Sequence, residues 1–525
     1  MTIGLRSLVV MVLLVTVGGL LLRLHGVHNR PMHADEAVNA FKFHRFLNLG
    51  AFEYDLKEYH GPVLHYATWP MMQLSGSRDF AQTTKLMYRL VPVVFGVGLI
   101  AMTLLIAEGL GRSATICAAM LTALSPSFVF FNGDYIHETL FVFFTFAAIG
   151  FGFCYMRSHR VGWAILTGIS LALMHATKET AVLCWLAMFI AMAGIIVWSW
   201  GIRSDVRKPK NGVKWLHVVF AGVTGLGVWI AFFSRFFTYW PGLSDAIFAY
   251  RHYVDRAMAD SIHLHSWHYY FGLLSYAKFT SGPWWSEALI LVLAMVGAIA
   301  AVRGRSATIP SITFARFLVL YTIVLAIIYS SIPYKTPWNM LGFLHGMILL
   351  AGIGSVVLVR IVPTAIGKSM IVLVLIAATV QLGWQAHRAT TSFAANPRNP
   401  YAYAGTVIDV PRLAQRADAL AAVHPDGYSM QVKIIATDND YWPIPWYLRR
   451  FKNVSYSSEP EAVVDAPLVV ASSNLELPFL DTYVREHYGL RFSVVMCAYV
   501  QADLWDLYLE HKHTDTSRIT VELNQ

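Results

Sequence analysis

Charge is scarce in this 525-residue chain: 14% of residues are Asp, Glu, Lys or Arg, against 56% hydrophobic. Soluble globular domains carry about 25% charged residues. A single water-soluble core is therefore excluded, and a bilayer is the expected solvent. Cysteine is scarce as well. Cys117, Cys154, Cys184 and Cys497 show neither CxxC nor Cys/His metal spacing, which argues against a disulfide framework and a structural zinc site. Internal repeats and low-complexity segments are missing, so nothing suggests the paired halves of many transporters.

What the chain has is long apolar runs. Runs near 3–22, 86–108, 113–131, 139–156, 161–176, 180–200, 215–236, 284–302, 312–331, 338–358 and 369–386 approach the roughly 20 residues that cross a bilayer. The first run lacks a small-residue cleavage site before Arg23 and His25, so it reads as a retained helix and not a signal peptide. The net charge of +9 comes from short basic clusters between these runs. With a cytoplasmic N-terminus, the cytoplasmic loops hold Arg112, then Arg157, His159 and Arg160, then Arg203, Arg207, Lys208, Lys210 and Lys214, then Arg303 and Arg305, then Arg360 and Lys368. Their only carboxylates are Glu108 and Asp205. That bias is the positive-inside signature and accounts for the basic balance without nucleic acid.

The expected fold is an all-α polytopic membrane domain of about eleven transmembrane helices over residues 1–389. A small α/β soluble domain, 390–525, then follows on the extracytoplasmic side. In that tail a helical pattern, Val410 to Val423, precedes strand-like runs at Gln431 to Ala436, Leu468 to Ala471 and Phe492 to Val500.

Four polar clusters fall on the outer side. His33-Ala34-Asp35-Glu36 follows the first helix. A carboxylate at the membrane boundary can serve as a general base, and the same pair could simply stabilise a helix N-terminus. Asn132 to Glu138 holds Asp134, His137 and Glu138. If it is helical, Asp134 and Glu138 share a face, and the three side chains have the donors for a divalent cation, Mg or Mn, or for a helix cap. No other cofactor is implied. Lys178, in Thr177-Lys-Glu-Thr180, and Lys335, in Pro333-Tyr-Lys-Thr-Pro337, sit in very short turns. Each could snorkel or hold a phosphate. The segment Arg251 to His268 reads as an amphipathic surface stretch, and Asp438-Asn439-Asp440 as a turn.

Taken in order, Asp35-Glu36, then Glu58-Tyr-His-Gly-Pro-Val-Leu-His-Tyr66, the Thr-Lys-Glu-Thr and Pro-Tyr-Lys-Thr-Pro-Trp turns, and Asp440-Tyr-Trp-Pro-Ile-Pro-Trp-Tyr-Leu-Arg449 resemble the C-type (GT-C) membrane glycosyltransferases. The nearest branch is that of the protein O-mannosyltransferases and lipid A aminoarabinose transferases. Within it the turns look most like a prokaryotic flippase-associated subgroup linked to surface glycosylation. The resemblance implies a polyprenyl-phosphate-linked sugar donor, a glycan, lipid or protein acceptor, and inversion at the anomeric carbon. Carried over, Asp35 would deprotonate or orient the acceptor and Glu36 would brace the loop. His60, Asp134, His137 and Glu138 would position substrate or a metal, while Lys335, with Tyr334 beside it, and Lys178 would neutralise the leaving phosphate. One departure is His60-Gly61-Pro62, where the aminoarabinose branch has Lys-Pro-Pro. The rival class is a flippase, or a flippase-associated binding protein without catalysis. The middles of the spans are nearly free of charge, which favours an enzyme with its site at the membrane boundary.

Overall fold

The computed structural model describes residues 3–50, 52, 54, 60–201, 212–258, 263–279, 281–304, 308–460, 465–477 and 482–522. Among these, eight helices are long and apolar enough to cross a membrane: Leu5–Gly26, Lys85–Leu110, Glu138–Ser158, Ala181–Trp200, Trp215–Phe233, Ile312–Ser331, Pro337–Ile361 and Ala365–Thr390. Three shorter apolar helices, Arg112–Leu124, Val161–Thr177 and Ala288–Val302, occupy the remaining expected positions. The chain is a multi-pass membrane protein. In hydrocarbon, helices gain little by hiding apolar surface from one another, so close backbone approach does the packing. Where Ala288–Val302 crosses Leu341–Ile361, a Cβ added to Gly297 would collide with the Leu350 carbonyl, and one added to Gly354 with the Leu293 carbonyl.

The stretch 23–85, expected as one long loop, contains two helices, Ala34–Leu49 and Val63–Ser75. Both mix polar and apolar residues, so neither registers as a span. They lie across one end of the bundle, and their buried residues Ala37, Phe43, Val63 and Leu64 share a core with Tyr88 and Tyr135. A third such helix, Pro241–Met258, lies in the later long loop. Several basic residues used for topology (Arg203, Arg207, Lys208, Lys210 and Arg305) lie outside the described residues, as do Glu58 and Tyr59.

Beyond Thr390 a five-stranded mixed sheet forms. Its order is Asn453–Ser457, Gln431–Ile435, Leu468–Ser472, Val494–Gln501, Tyr483–Arg491. The first three run parallel and Val494–Gln501 is antiparallel to both neighbours. Leu468–Ser472 is buried along its whole length, as expected for a strand covered on both faces. The helix Asp409–Val423 covers one face through Val410, Leu413, Ala417 and Leu420.

This unit is seated on the first loop. The Tyr447 hydroxyl accepts from the Met32 N–H at 2.9 Å. Arg449 Nη2 donates to the Thr83 carbonyl at 2.7 Å, and Trp442 meets Phe41 edge-on at 5.3 Å. The run Asp440 to Arg449, noticed first as a motif, is thus the contact between the tail and the loop that carries Asp35.

Candidate active site at the bundle end

Helix Ala34–Leu49 begins with a capping box. His33 Nδ1 accepts from the Asp35 N–H at 3.2 Å, and Glu36 Oε2 accepts from the His33 N–H at 2.9 Å. Capping fixes the first turn and sends the adjacent carboxylates opposite ways. Glu36 points inward and is fully buried. Its oxygens accept from Arg89 Nε at 2.8 Å, Arg89 Nη2 at 2.6 Å and the Tyr135 N–H at 3.0 Å. Arg89 also donates to the carbonyls of Val27, Arg30 and Pro31. Burial raises the Glu36 carboxyl, but Arg89's charge and hydrogen bonds overrule it and hold it below the usual carboxylate range. Asp35 points outward with its side chain 52% exposed and Oδ2 3.9 Å from His33 Nδ1. The arrangement leaves Asp35 open to an incoming group while Glu36 ties the loop to Lys85–Leu110.

The second cluster departs from expectation. Asn132 to His137 is a turn, and the helix starts only at Glu138. The turn is held to the first span by Arg23 Nε, which donates to Asn132 Oδ1 at 2.9 Å. Asp134 and Glu138 consequently do not share a face. Asp134 pairs with Arg30 at 2.5 Å, whereas Glu138 pairs with Lys178 at 2.5 Å. His137 stacks edge-on against His60 at 4.8 Å and lies 6.0 Å from His65. Both carboxylates of the set Asp134, His137 and Glu138 thus already face a cation, and among the described residues no three His, Cys, Asp or Glu side chains converge as a metal site. Burial pushes the Asp134 carboxyl up, with Arg30 pulling the other way. Burial also pushes His137 well below the usual imidazole range and His65 down to about 3.

His60 is brought close by a glycine. A Cβ on Gly61 would collide with the Ala176 carbonyl, so only glycine permits this approach. His60 Nδ1 then lies 2.9 Å from Glu179 Oε2, and Tyr54 donates to Glu179 Oε1 at 2.7 Å.

The two lysines sit in different settings. Lys178 donates to Glu138 and, at 3.1 Å, to Asn339 Oδ1. The Lys335 ammonium meets only backbone carbonyls, those of His265 at 3.0 Å and Ile332 at 2.5 Å. It has no carboxylate within ion-pair distance among the described residues. Burial lowers its pKa. The turn carrying Lys335 is pinned to 263–265: Lys335 N–H donates to the His263 carbonyl, and Tyr334 packs on the His263 ring at 4.9 Å.

Trp338 joins these parts. One cleft has Arg30, His33, Asp134, Trp338, Tyr401 and Tyr403 in its walls. A smaller one has Glu138, Lys178, Tyr329, Trp338 and Asn339. Trp338 stands 6.0 Å from the His33 ring, and Tyr403 OH lies 2.9 Å from His263 Nδ1 and 3.1 Å from His265 Nε2. Asp35, Asp134, Glu138, Lys178 and Lys335 are thus linked around one end of the bundle through His33, Trp338, Tyr403 and His265. His60 and His137 flank the Lys178 side. Sequence reasoning missed Arg30, Arg89, Asn339 and Tyr403. Arg89 had a signal, as an ionisable residue inside an apolar run.

Comparison with known proteins agrees with this architecture. Residues 59–229, about a third of the chain, match the family described as dolichyl-phosphate-mannose-protein mannosyltransferase. ArnT from Cupriavidus metallidurans, bound to undecaprenyl phosphate, superimposes with a TM-score of 0.61 at 13% identity, covering 94% of this chain and 98% of that one. The fold is the GT-C fold. The same ArnT in the apo state gives 0.59 at 14% identity, with the same coverage. The Archaeoglobus fulgidus oligosaccharyltransferase, in complex with Zn and sulfate, gives 0.52 at 13% identity over 94% of this chain and 73% of that one. No curated protein matches the sequence. At these identities the structural likeness is one of fold. It agrees with the resemblance to C-type membrane glycosyltransferases and does not single out the flippase-associated subgroup.

Proposed function

We propose that this protein is a membrane glycosyltransferase that moves a sugar from a polyprenyl-phosphate donor to an acceptor hydroxyl, with inversion. The observations that support the reading are an open carboxylate, Asp35, beside His33, Trp338 standing between the His33 cleft and the cleft that holds Lys178, and a second buried ammonium, Lys335, held by carbonyls alone. A base and a phosphate-neutralising cation are the two groups this displacement needs. The match of 59–229 to the mannosyltransferase family and the GT-C fold support the same class.

In the proposed reaction the donor phosphate lies against Lys335 and the Lys178–Asn339 edge, with Tyr334 holding the turn. The acceptor oxygen attacks the anomeric carbon while its proton passes to Asp35. The bond from the anomeric carbon to the phosphate oxygen breaks, and polyprenyl phosphate leaves as an anion facing Lys335. Glu36, through Arg89 and the Tyr135 N–H, keeps the loop in place. His60 and His137 shape the wall beside the donor sugar. A site at the bundle end suits a lipid donor, whose phosphate sits at the membrane boundary. The basic loops at the other ends of the spans support a cytoplasmic N-terminus and an extracytoplasmic site and tail. No step of this reaction is routed through a divalent cation.

The test is transfer from a polyprenyl-phosphate hexose in membranes. Wild type should release polyprenyl phosphate in step with glycosylated acceptor. A protein that binds donor and never cleaves it, across sugars and acceptors, is the flippase-type binding protein instead.

A further inference from the structure

The cleft on the His33 side of Trp338 holds polar groups that the reaction above does not use. Arg30 is 7% exposed and its guanidinium lies 4.1 Å over the Phe130 ring. Nη2 donates to Phe130 O and Asp134, yet Nε and Nη1 have no partner among the described residues. Thr406 lines the same cleft at 4% exposure, and its hydroxyl is also without a partner. Buried donors left unpaired are unfavourable, and these three belong to residues lining one cleft, where a ligand with oxygen acceptors would satisfy them.

The wall around them is firmly built. Tyr401 N–H donates to Asn399 Oδ1 at 3.0 Å, and Asn399 Nδ2 donates to the carbonyls of Ala389 and Phe393. Tyr401 OH donates to Glu287 at 3.2 Å, and buried Glu287 also accepts from Ser125 and Ser127. A carboxylate surrounded by neutral donors fixes the ring without adding a free charge to the cleft.

We infer that this cleft is the acceptor subsite, and that the acceptor is a neutral, polyhydroxylated glycan rather than a peptide. This inference rests on the glycosyltransferase reading. Three features select the class. Arg30's charge is already met by Asp134, so a carboxylate or phosphate would have to compete with that pair, whereas sugar hydroxyls accept from Nε and Nη1 without disturbing it. Trp338, Tyr401 and Tyr403 line the cleft, and aromatic side chains are what the C–H face of a sugar ring packs against. The backbone edge at Thr406 is already bridged to Arg491 within the chain, so it is not open to an added peptide strand. A ring seated there places a hydroxyl beside His33, which caps the helix turn carrying Asp35, with the donor across Trp338.

The experiment uses full-length protein in nanodiscs with a panel of methyl hexosides, a threonine-containing peptide and a polyprenyl-phosphate hexose. Hexoside binding is read without donor by saturation-transfer NMR. Transfer and donor hydrolysis are read separately. The expected result is hexoside binding and transfer, with Thr406→Val raising the hexoside Kd and KM about 5–10-fold and leaving donor KM unshifted, as for one lost hydrogen bond. Arg30→Lys should give the same pattern more strongly if it folds. Glycosylation of the peptide in place of hexosides, or an unchanged hexoside Kd in Thr406→Val, overturns the assignment. Hexoside binding with neither transfer nor donor cleavage keeps the subsite and overturns the enzyme reading; donor cleavage without hexoside binding does the reverse.

Discussion

The two faces of the first-loop helix ask opposite things of a carboxylate. On the bundle side, Glu36 is buried and every oxygen lone pair has a charged or backbone donor nearby. On the outward side, one residue earlier, Asp35 is half exposed with His33 beside it. A saturated carboxylate holds structure and has nothing left to offer a substrate. An open one adds little to the fold and can take a proton. The two lysines differ less sharply: Lys178 is paired with Glu138 and keeps an edge toward Asn339, while Lys335 is held by carbonyls.

Substitutions at four positions sharpen or break this contrast. The largest effect on stability is expected at Glu36→Ala, which leaves Arg89 buried and unpaired. Loss of a buried partner costs about 3–5 kcal/mol, read as denaturant unfolding in detergent. A variant as stable as wild type would dissolve the distinction between the two faces. Next comes Lys178→Met, which strands Glu138. It should cost about 3 kcal/mol, and adding Glu138→Gln should recover much of that, a coupling that a double-mutant cycle measures. Lys335→Met should leave the fold in place and weaken donor binding about 10-fold, as for one charge-assisted contact. Lys335→Arg should restore most of that affinity. The smallest effect is one of pH. Burial lowers the Lys335 pKa, so its ammonium loses its proton below the ordinary lysine value. Donor affinity should therefore fall as pH rises through that lowered pKa, and Lys335→Arg should flatten the profile. A wild-type affinity constant up to the lysine range would remove Lys335 from the phosphate.

Much of the fold was legible in the sequence. Eleven apolar runs became eleven apolar helices, because hydropathy over a bilayer's width is a strong and additive signal. The helices Ala34–Leu49 and Val63–Ser75 were not, because they rest on the bundle end with one face each and lack a span's composition. In the tail, Gln431–Ile435, Leu468–Ser472 and Val494–Gln501 announced themselves by their buried apolar residues. The edge strands Asn453–Ser457 and Tyr483–Arg491 carry more polar, partly exposed residues and passed unnoticed.

The candidate site was legible as residues and not as pairings. Asp35, Lys178 and Lys335 were chosen for their place at span ends, a local property. Which cation meets which carboxylate is set by tertiary contact: Glu36 and Arg89 are 53 residues apart, and Lys178 and Glu138 are 40 apart. Assuming a helix from Asp134 to Glu138 put two carboxylates on one face. The turn held by Arg23 and Asn132 sends them to different cations.

The central claim is that Asp35 is the base of a sugar transfer. Its most direct test is Asp35→Asn in membranes, with polyprenyl-phosphate hexose turnover and donor binding measured side by side. The account predicts that turnover falls by about 100-fold or more, while donor affinity and unfolding midpoint stay at wild-type values. Turnover within a few-fold of wild type would contradict it and move the base elsewhere in the cleft.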